Sequence, residues 1–307
     1  MSAPIPESNL VNFYENLYKE FGKKRKEVDE YVDMLREWAE QQPHFPEVPS
    51  KNVCTFFVTQ NKFIMEKAKK RLDMYYTIRH LVPEFYSHHP LSPEMILQNK
   101  IVSQVYLPKL TKDNEKVLVW GVNANYGPEY FHHERGIESF VQLTELLMQD
   151  ETCNGFHCIC DFGNIKLGHI PKFHPMALKK LTIFVEGVLG TRIKSLFLVN
   201  VFPFVDTLVN TLFKPLLPKK IISRLQISRT SDILLEHFDK AILPKDLGGE
   251  EKSLIELSDM MMKKYESMKS RFDKFNSLKT IESKRPTKLE NDDILGYYGS
   301  FKKIAID

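Results

Sequence analysis

The sequence predicts an α/β protein: a helical N-terminal domain followed by a mixed, mainly parallel β-sheet flanked by helices. Three observations predict it. Up to residue 79 the apolar residues recur at helical spacing, whereas from residue 116 short apolar runs alternate with helical segments. Strands that alternate with helices need crossover connections, the arrangement that parallel pairing requires. The third is the stretch 203–216, a helix so apolar that it must cover something large, either the protein's own core or a greasy ligand.

Taken in order, Leu10, Phe13, Leu17 and Phe21 form a first helical stripe, and Val28, Tyr31, Val32, Leu35 and Trp38 a second. The Pro and His cluster at 42–49 separates these from a third helix, rich in Lys and Arg, that carries Phe63, Ala68, Leu72, Tyr75 and Tyr76. A loop at 83–93 closes the helical portion. Residues 116–120, 156–160, 195–200 and 224–228 read as strands, with helices at 133–150, 174–189 and 203–223 between them. From Val205 the apolar residues Val205, Leu208, Val209, Leu212, Phe213 and Leu216 share one helical face. Pro203 suits its start, and Pro215 and Pro218 end it and open the next helix. The chain from Ser253 is first helical and charged, then polar, and 299–307 reads as an edge strand. The expected domains are 1–92, 93–252 and 253–307.

With 307 residues, 42% hydrophobic and 27% charged, the chain can bury a substantial core. A net charge of +3, from 43 basic and 40 acidic residues, is too close to balance for a nucleic-acid binder, so any basic function comes from local clustering. Cys54, Cys153, Cys158 and Cys160 make a poor disulfide framework, since the last two share one strand face. They read as reduced thiols of a cytoplasmic protein. The N-terminus has no apolar signal core, and no run of about 18 apolar residues occurs, so membrane contact is expected to be peripheral.

Residues 116–251 resemble the CRAL-TRIO lipid-binding family, in the branch of α-tocopherol transfer and retinaldehyde-binding proteins. The matching residues are Leu198-Val199-Asn200, the apolar helix ending in Lys214-Pro215-Leu216-Leu217, Lys220-Ile221-Ile222-Ser223-Arg224, Leu243-Pro244 and Gly248-Gly249-Glu250-Glu251. Residues 56–79 are similar to the helical domain that precedes it. There are two departures. The family usually carries a basic FLRAR-type motif before the position of Phe63, where this chain has Phe57-Val58-Thr59-Gln60-Asn61-Lys62. It also tends to have Asp-Leu-Glu-Gly after the second strand, where this chain has Asp161-Phe162-Gly163-Asn164.

The resemblance implies that the helix at 203–216 is a lid over an apolar pocket, with Val205, Leu208 and Leu212 facing the ligand. The strand faces of Phe156, Cys158 and Cys160, and of Leu196 and Leu198, would supply the sheet side, and Leu181, Phe184 and Leu189 a further wall. It likewise places Arg192, Lys194, Lys220 and Arg224 on positions that hold phosphoinositide phosphates, with Lys219 beside them. The implied function is binding a small hydrophobic lipid, of isoprenoid, tocopherol or retinoid class, and carrying it between membranes. The partners are then that ligand and an anionic phosphoinositide membrane, with no nucleic acid and no cofactor. The alternative is a phosphoinositide-reading signalling adaptor without carrier activity.

Other motifs carry no chemistry. Asp161-Phe162-Gly163 spells the magnesium triplet of kinases, but the glycine-rich loop, the strand Lys and the His-Arg-Asp motif are missing. The pairs His88-His89 and His132-His133 read as loop residues, without the spacing of a zinc site. His157 points away from Cys158 and Cys160 on its strand. Neither a Gly-x-Ser-x-Gly elbow nor a phosphate loop occurs, so no enzyme is expected. Gly248-Gly249 reads as a tight turn with positive φ.

Overall fold

The computed structural model describes residues 7–150, 153–189, 192–217 and 219–287. The edge strand expected at 299–307 lies outside them.

Four helices open the chain: α1 (Glu7–Phe21), α2 (Arg25–Glu40), α3 (Lys51–Gln60) and α4 (Met65–Leu81). Their predicted stripes are the buried faces: Phe13 and Leu17, then Val28, Val32 and Leu35, then Ala68, Leu72, Tyr75 and Tyr76. Ser50 caps α3 by accepting a hydrogen bond from the Val53 amide, and Lys62 and Phe63 then take left-handed backbone angles that turn the chain into α4. The reversal buries the Phe63 ring between Phe21 and Tyr31.

After α5 (Pro93–Ile101), capped by Ser92 with Pro93 at its first turn, the sheet begins with a strand that periodicity had not marked, β1 (Val102–Tyr106). It pairs antiparallel with β2 (Lys116–Val122) and makes the sheet mixed. The crossover helix α6 (His133–Asp150) leads to β3 (Phe156–Asp161), parallel to β2. Next come α7 (Pro175–Phe184) and β4 (Ile193–Val199), then α8 (Pro203–Leu208), α9 (Lys219–Ile222) and the short β5 (Leu225–Ile227). The five strands lie in the order β1-β2-β3-β4-β5, and all pairs after the first are parallel.

The helices expected at 174–189 and 203–216 are not continuous. Each starts with Pro at its first position, and each passes into a π-helical turn, Val185–Leu189 and Val209–Phe213. A π turn closes its hydrogen bonds one residue later than an α turn, so a stripe spaced at 3.6 residues loses its face there.

The opposite sheet face is covered by α10 (Leu234–His237) and α11 (Leu254–Ser267), with Phe238 packed on Phe197 at 5.5 Å. Between them Gly248 takes φ +82°, as its sequence suggests, and a Cβ on Gly249 would stand 1.9 Å from the Leu243 carbonyl oxygen. Finally α12 (Lys269–Phe275) returns to the N-terminal helices. There Arg271 reaches Glu47 at 2.6 Å, and beyond it Arg285 reaches Asp73 at 2.7 Å.

Candidate functional site

Strand alternation puts Leu118 and Trp120 of β2, Cys158 and Cys160 of β3, and Leu196 and Leu198 of β4 on one face of the sheet. This face is not filled by the helices opposite it. A cavity of about 290 Å³ separates it from Ile137 and Phe140 of α6 and from Leu178, Leu181 and Val185 of α7. Phe131, Phe162 and Phe173 wall one part, and Val209, Leu217 and Ile221 bring the segment after Pro203 to it. Among the described residues the wall holds no Lys, Arg, Asp or Glu. Its polar side chains are Gln104, His133, Thr182 and the two thiols.

None of the four cysteines is in a disulfide. Burial pushes the Cys158 thiol up to about 12 and the Cys160 thiol higher still, so both remain protonated and behave as small hydrophobes. His133 is buried, which together with the charge of His174 lowers its ring to about 4 and keeps it neutral. The space therefore suits an uncharged, mainly apolar molecule.

Of the residues expected to line a pocket, Cys158, Cys160, Leu181, Leu196 and Leu198 are on the wall. Phe156, Phe184, Leu189 and Val205 are not. Phe156 shares its face with Cys158 but lies one strand end away, where its ring meets Phe56 and Tyr106, both at 6.3 Å. Phe184 packs on Phe140 from behind the wall, at 6.2 Å. Leu189 is in the main core, and Val205 is buried in the second hydrophobic cluster, behind Val209. The side chains of Leu208 and Leu212 lie outside the described part. Val185 and Val209, each the first residue of a π turn, are on the wall instead.

Gln104, His133 and Trp120 were missed. Gln104 sits on the unmarked strand β1, opposite Trp120, and His133 opens α6 instead of lying in a loop. The one sequence signal for them was their proximity to apolar runs, which does not separate wall from core.

The basic residues divide into two groups. Arg192 is 5% exposed, ion-paired with Glu20 and 5.1 Å from the centre of the Phe21 ring, and Lys194 pairs with Glu115 at 2.6 Å. Both are tied to the protein itself. Lys219 and Lys220 are exposed, and Arg224 is partly so, its guanidinium donating to the Ile193 carbonyl. Desolvation, and then the charges of Arg224, Lys62, Arg71 and Lys67, lower the Lys220 ammonium below its usual range. A cationic surface thus joins α9 to the start of α4. The Thr59 and Asn61 side chains are buried where the family's arginines would stand, and each donates to helix α3 carbonyls, at 2.9 Å and 2.7 Å.

Asp161 and Asn200 meet at the C-terminal ends of β3 and β4: the Asn200 amide and the Gly163 backbone N–H both donate to one Asp161 oxygen, at 2.8 Å and 2.9 Å. The Asp-Phe-Gly triplet is a turn. Among the described residues no cluster of three or more His, Cys, Asp or Glu is placed to hold a metal, and no helix is long and apolar enough to cross a membrane.

Residues 24–95 match the family model described as Pinta-like, UBA domain, and residues 103–249 match that described as CRAL/TRIO domain. No curated protein matches the chain. Among solved structures, one titled "Crystal structure of Sfh5" is 10% identical, with 87% of this chain and 100% of that chain covered and a TM-score of 0.49. Apart from Val102, every residue of the cavity wall falls within 103–249, the stretch that matches the CRAL/TRIO domain model.

Proposed function

We propose that the protein takes up a small hydrophobic lipid of isoprenoid type, such as a tocopherol or a retinoid, in the cavity between sheet and α7, and carries it between membranes. CRAL/TRIO proteins bind and transfer lipids and are not enzymes. What carries the reading is the charge-free space of about 290 Å³ beneath a chain segment of broken helical geometry. Water fills a space so lined only at a penalty, since few groups of the wall can hydrogen-bond it. An apolar occupant removes that penalty, and burying it contributes about 25 cal/mol per Å².

The wall residues Cys158, Cys160, Leu181, Leu196, Leu198 and Val209 are proposed as ligand contacts. The segment from Pro203 to Ile222 is the lid. It ends in an exposed Ile222 next to Lys219 and Lys220, and an exposed Phe202 stands just before it. Docking then runs through Lys219, Lys220 and Arg224, with Lys62, Lys67 and Arg71 standing in for the FLRAR-type arginines that the sequence lacks. Phosphoinositide phosphates fit this cluster, since each cation near an anionic surface contributes about 1 kcal/mol. At the membrane, apolar contacts between lid and bilayer would replace those between lid and ligand, and the ligand partitions.

Solvent extraction of the purified protein, with mass identification of what is released, tests the reading together with transfer between vesicles. A stoichiometric isoprenoid lipid and transfer that accelerates with phosphoinositide in the acceptor are expected. Nothing extracted and no transfer, with phosphoinositide binding retained, would favour the adaptor instead.

A further inference from the structure

The cavity is apolar except at one place. Gln104 on β1 extends its side chain to α6, where Nε2 donates to the Gly136 carbonyl at 2.8 Å. A carbonyl only accepts, so this bond fixes which end of the amide faces it. The other end, Oε1, is shielded from solvent and has no hydrogen-bond partner among the described residues. Three residues before Gly136, on the same helical face, stands His133. Its Nδ1 accepts from the His174 backbone N–H at 3.2 Å, so the proton of the neutral ring is on Nε2. No hydrogen bond joins that N–H to a described residue, and the residue is 7% exposed. Both side chains are on the cavity wall. Behind them Gln98 is 1% exposed, and neither of its amide atoms is satisfied; its Nε2 and that of Gln104 each lie 3.7 Å from where a Gly136 Cβ would be. Thr182, the other polar side chain nearby, donates to the Leu178 carbonyl.

We infer that Gln104 and His133, around Gly136, form the polar end of the ligand site and select a lipid that ends in a neutral hydroxyl. This deepens the carrier reading and rests on it. The free Gln104 oxygen requires a donor from the ligand, and the His133 N–H requires an acceptor. One hydroxyl group supplies both, whereas a hydrocarbon, ether or ester supplies no donor. A carboxylate also fails, because it would bring a charge into a wall that holds no cation, facing the acceptor oxygen of Gln104. Buried polar groups left unpaired by the wrong ligand are the strongest basis for discrimination. Gly136 has no side chain to crowd the two amides beside it, so the polar end keeps room for the hydroxyl.

Three probes with a common chain, farnesol, farnesene and farnesoic acid, separate these cases. Binding can be followed by the emission of Trp120, which is on the wall, in protein carrying Trp38→Phe. The expected order is farnesol tighter than farnesene by roughly tenfold or more, and farnesoic acid weaker than farnesol. Gln104→Leu should bring the farnesol to farnesene ratio close to one without weakening farnesene, and His133→Phe should reduce the ratio in the same direction. If Gln104→Leu fails to fold, Gln104→Met and His133→Phe carry the same expectation. Equal binding of farnesol and farnesene by the parent, or an unchanged ratio in the variants, would overturn the polar end while leaving the carrier reading in place. No binding of either by the parent would overturn both.

Discussion

Ser195 Oγ lies 2.7 Å from Nδ1 of His157, and Nε2 of the same ring lies 2.7 Å from Glu115. Ser, His and a carboxylate in a chain have the outline of a hydrolytic triad. Their position argues otherwise. The trio is on the sheet face turned away from the cavity, Ser195 is 8% exposed, the His157 ring packs edge-on against Phe238 at 5.0 Å, and Glu115 also binds Lys194 at 2.6 Å. It ties β3 to β4 where their register shifts. Ser195→Ala should therefore cost about 1–2 kcal/mol in urea unfolding and leave ester turnover at the background of the parent protein. Ester hydrolysis that disappears with Ser195 would contradict this.

The same trio predicts an acid limb of stability. Burial raises the Glu115 carboxyl, but hydrogen bonds from His157 and Lys194 outweigh it and hold it below the usual carboxylate range. A depressed carboxylate adds stability that is present above its unfolded pKa and is lost as the pH falls through its folded one. Glu115→Gln should thus lower stability at pH 7 and flatten the loss between about pH 5 and pH 3 in unfolding curves. Parallel curves for parent and variant would show that another carboxylate sets the acid limit.

Arg271 joins three parts of the molecule: it donates to Glu145 of α6 at 2.7 Å, to Glu47 at 2.6 and 2.8 Å, and to the Tyr75 hydroxyl of α4 at 2.9 Å. Glu145 is 1% exposed; burial raises its carboxyl, and Arg271 and Arg79 more than reverse the shift. Arg271→Met leaves that charge without its main partner, so the expected loss is about 3–5 kcal/mol in denaturant unfolding. Adding Glu145→Gln should recover part of it. A loss below about 1 kcal/mol for the single variant would mean that water replaces the arginine.

The division of the basic residues separates docking from stability. Lys220→Glu with Arg224→Glu should reduce sedimentation with phosphoinositide vesicles by about tenfold or more, since two reversed charges act near the surface, and leave uptake of soluble ligand unchanged. Arg192→Glu should instead lower the melting temperature, because it sets a carboxylate against Glu20 at a buried position. If Arg192→Glu weakened vesicle binding with no loss of stability, the division would be wrong.

The α/β class was legible because alternation and helical spacing are local: Cys158 and Cys160, or Leu196 and Leu198, share a face by strand geometry alone, and with Leu181 of α7 those are the expected positions that reached the cavity. The α7 and lid positions fared worse. Phe184 and Val205 are as apolar as their wall neighbours Val185 and Val209, and residue type does not say which of two buried positions faces a cavity. Strand β1 was also hidden, since its antiparallel edge pairing with β2 comes from tertiary contacts and not from alternation over its few residues. The polar end was illegible for the same reason, because Gln104 is on that strand. Among the basic residues, charge was visible in the sequence but not its partner: Glu20 and Glu115, which occupy Arg192 and Lys194, are far away along the chain.

Leu196 lies on the cavity face of β4, while Ile159 of β3 is fully buried on the other face, and the pair offers a test of what the space is for. Leu196→Trp places an indole into the volume that a ligand would use. Loading and vesicle transfer should fall by about tenfold or more, while the melting temperature of the stripped protein holds or rises, because part of the cavity penalty disappears. The rise in melting temperature that ligand gives the parent should shrink accordingly, as expected for loss of binding to the native state. Ile159→Val should do the reverse, costing about 0.5–1.5 kcal/mol and leaving loading unchanged. Were Leu196→Trp to destabilise the stripped protein and still load and transfer like the parent, the ligand would have to lie elsewhere, and the carrier reading would lose the observation that supports it.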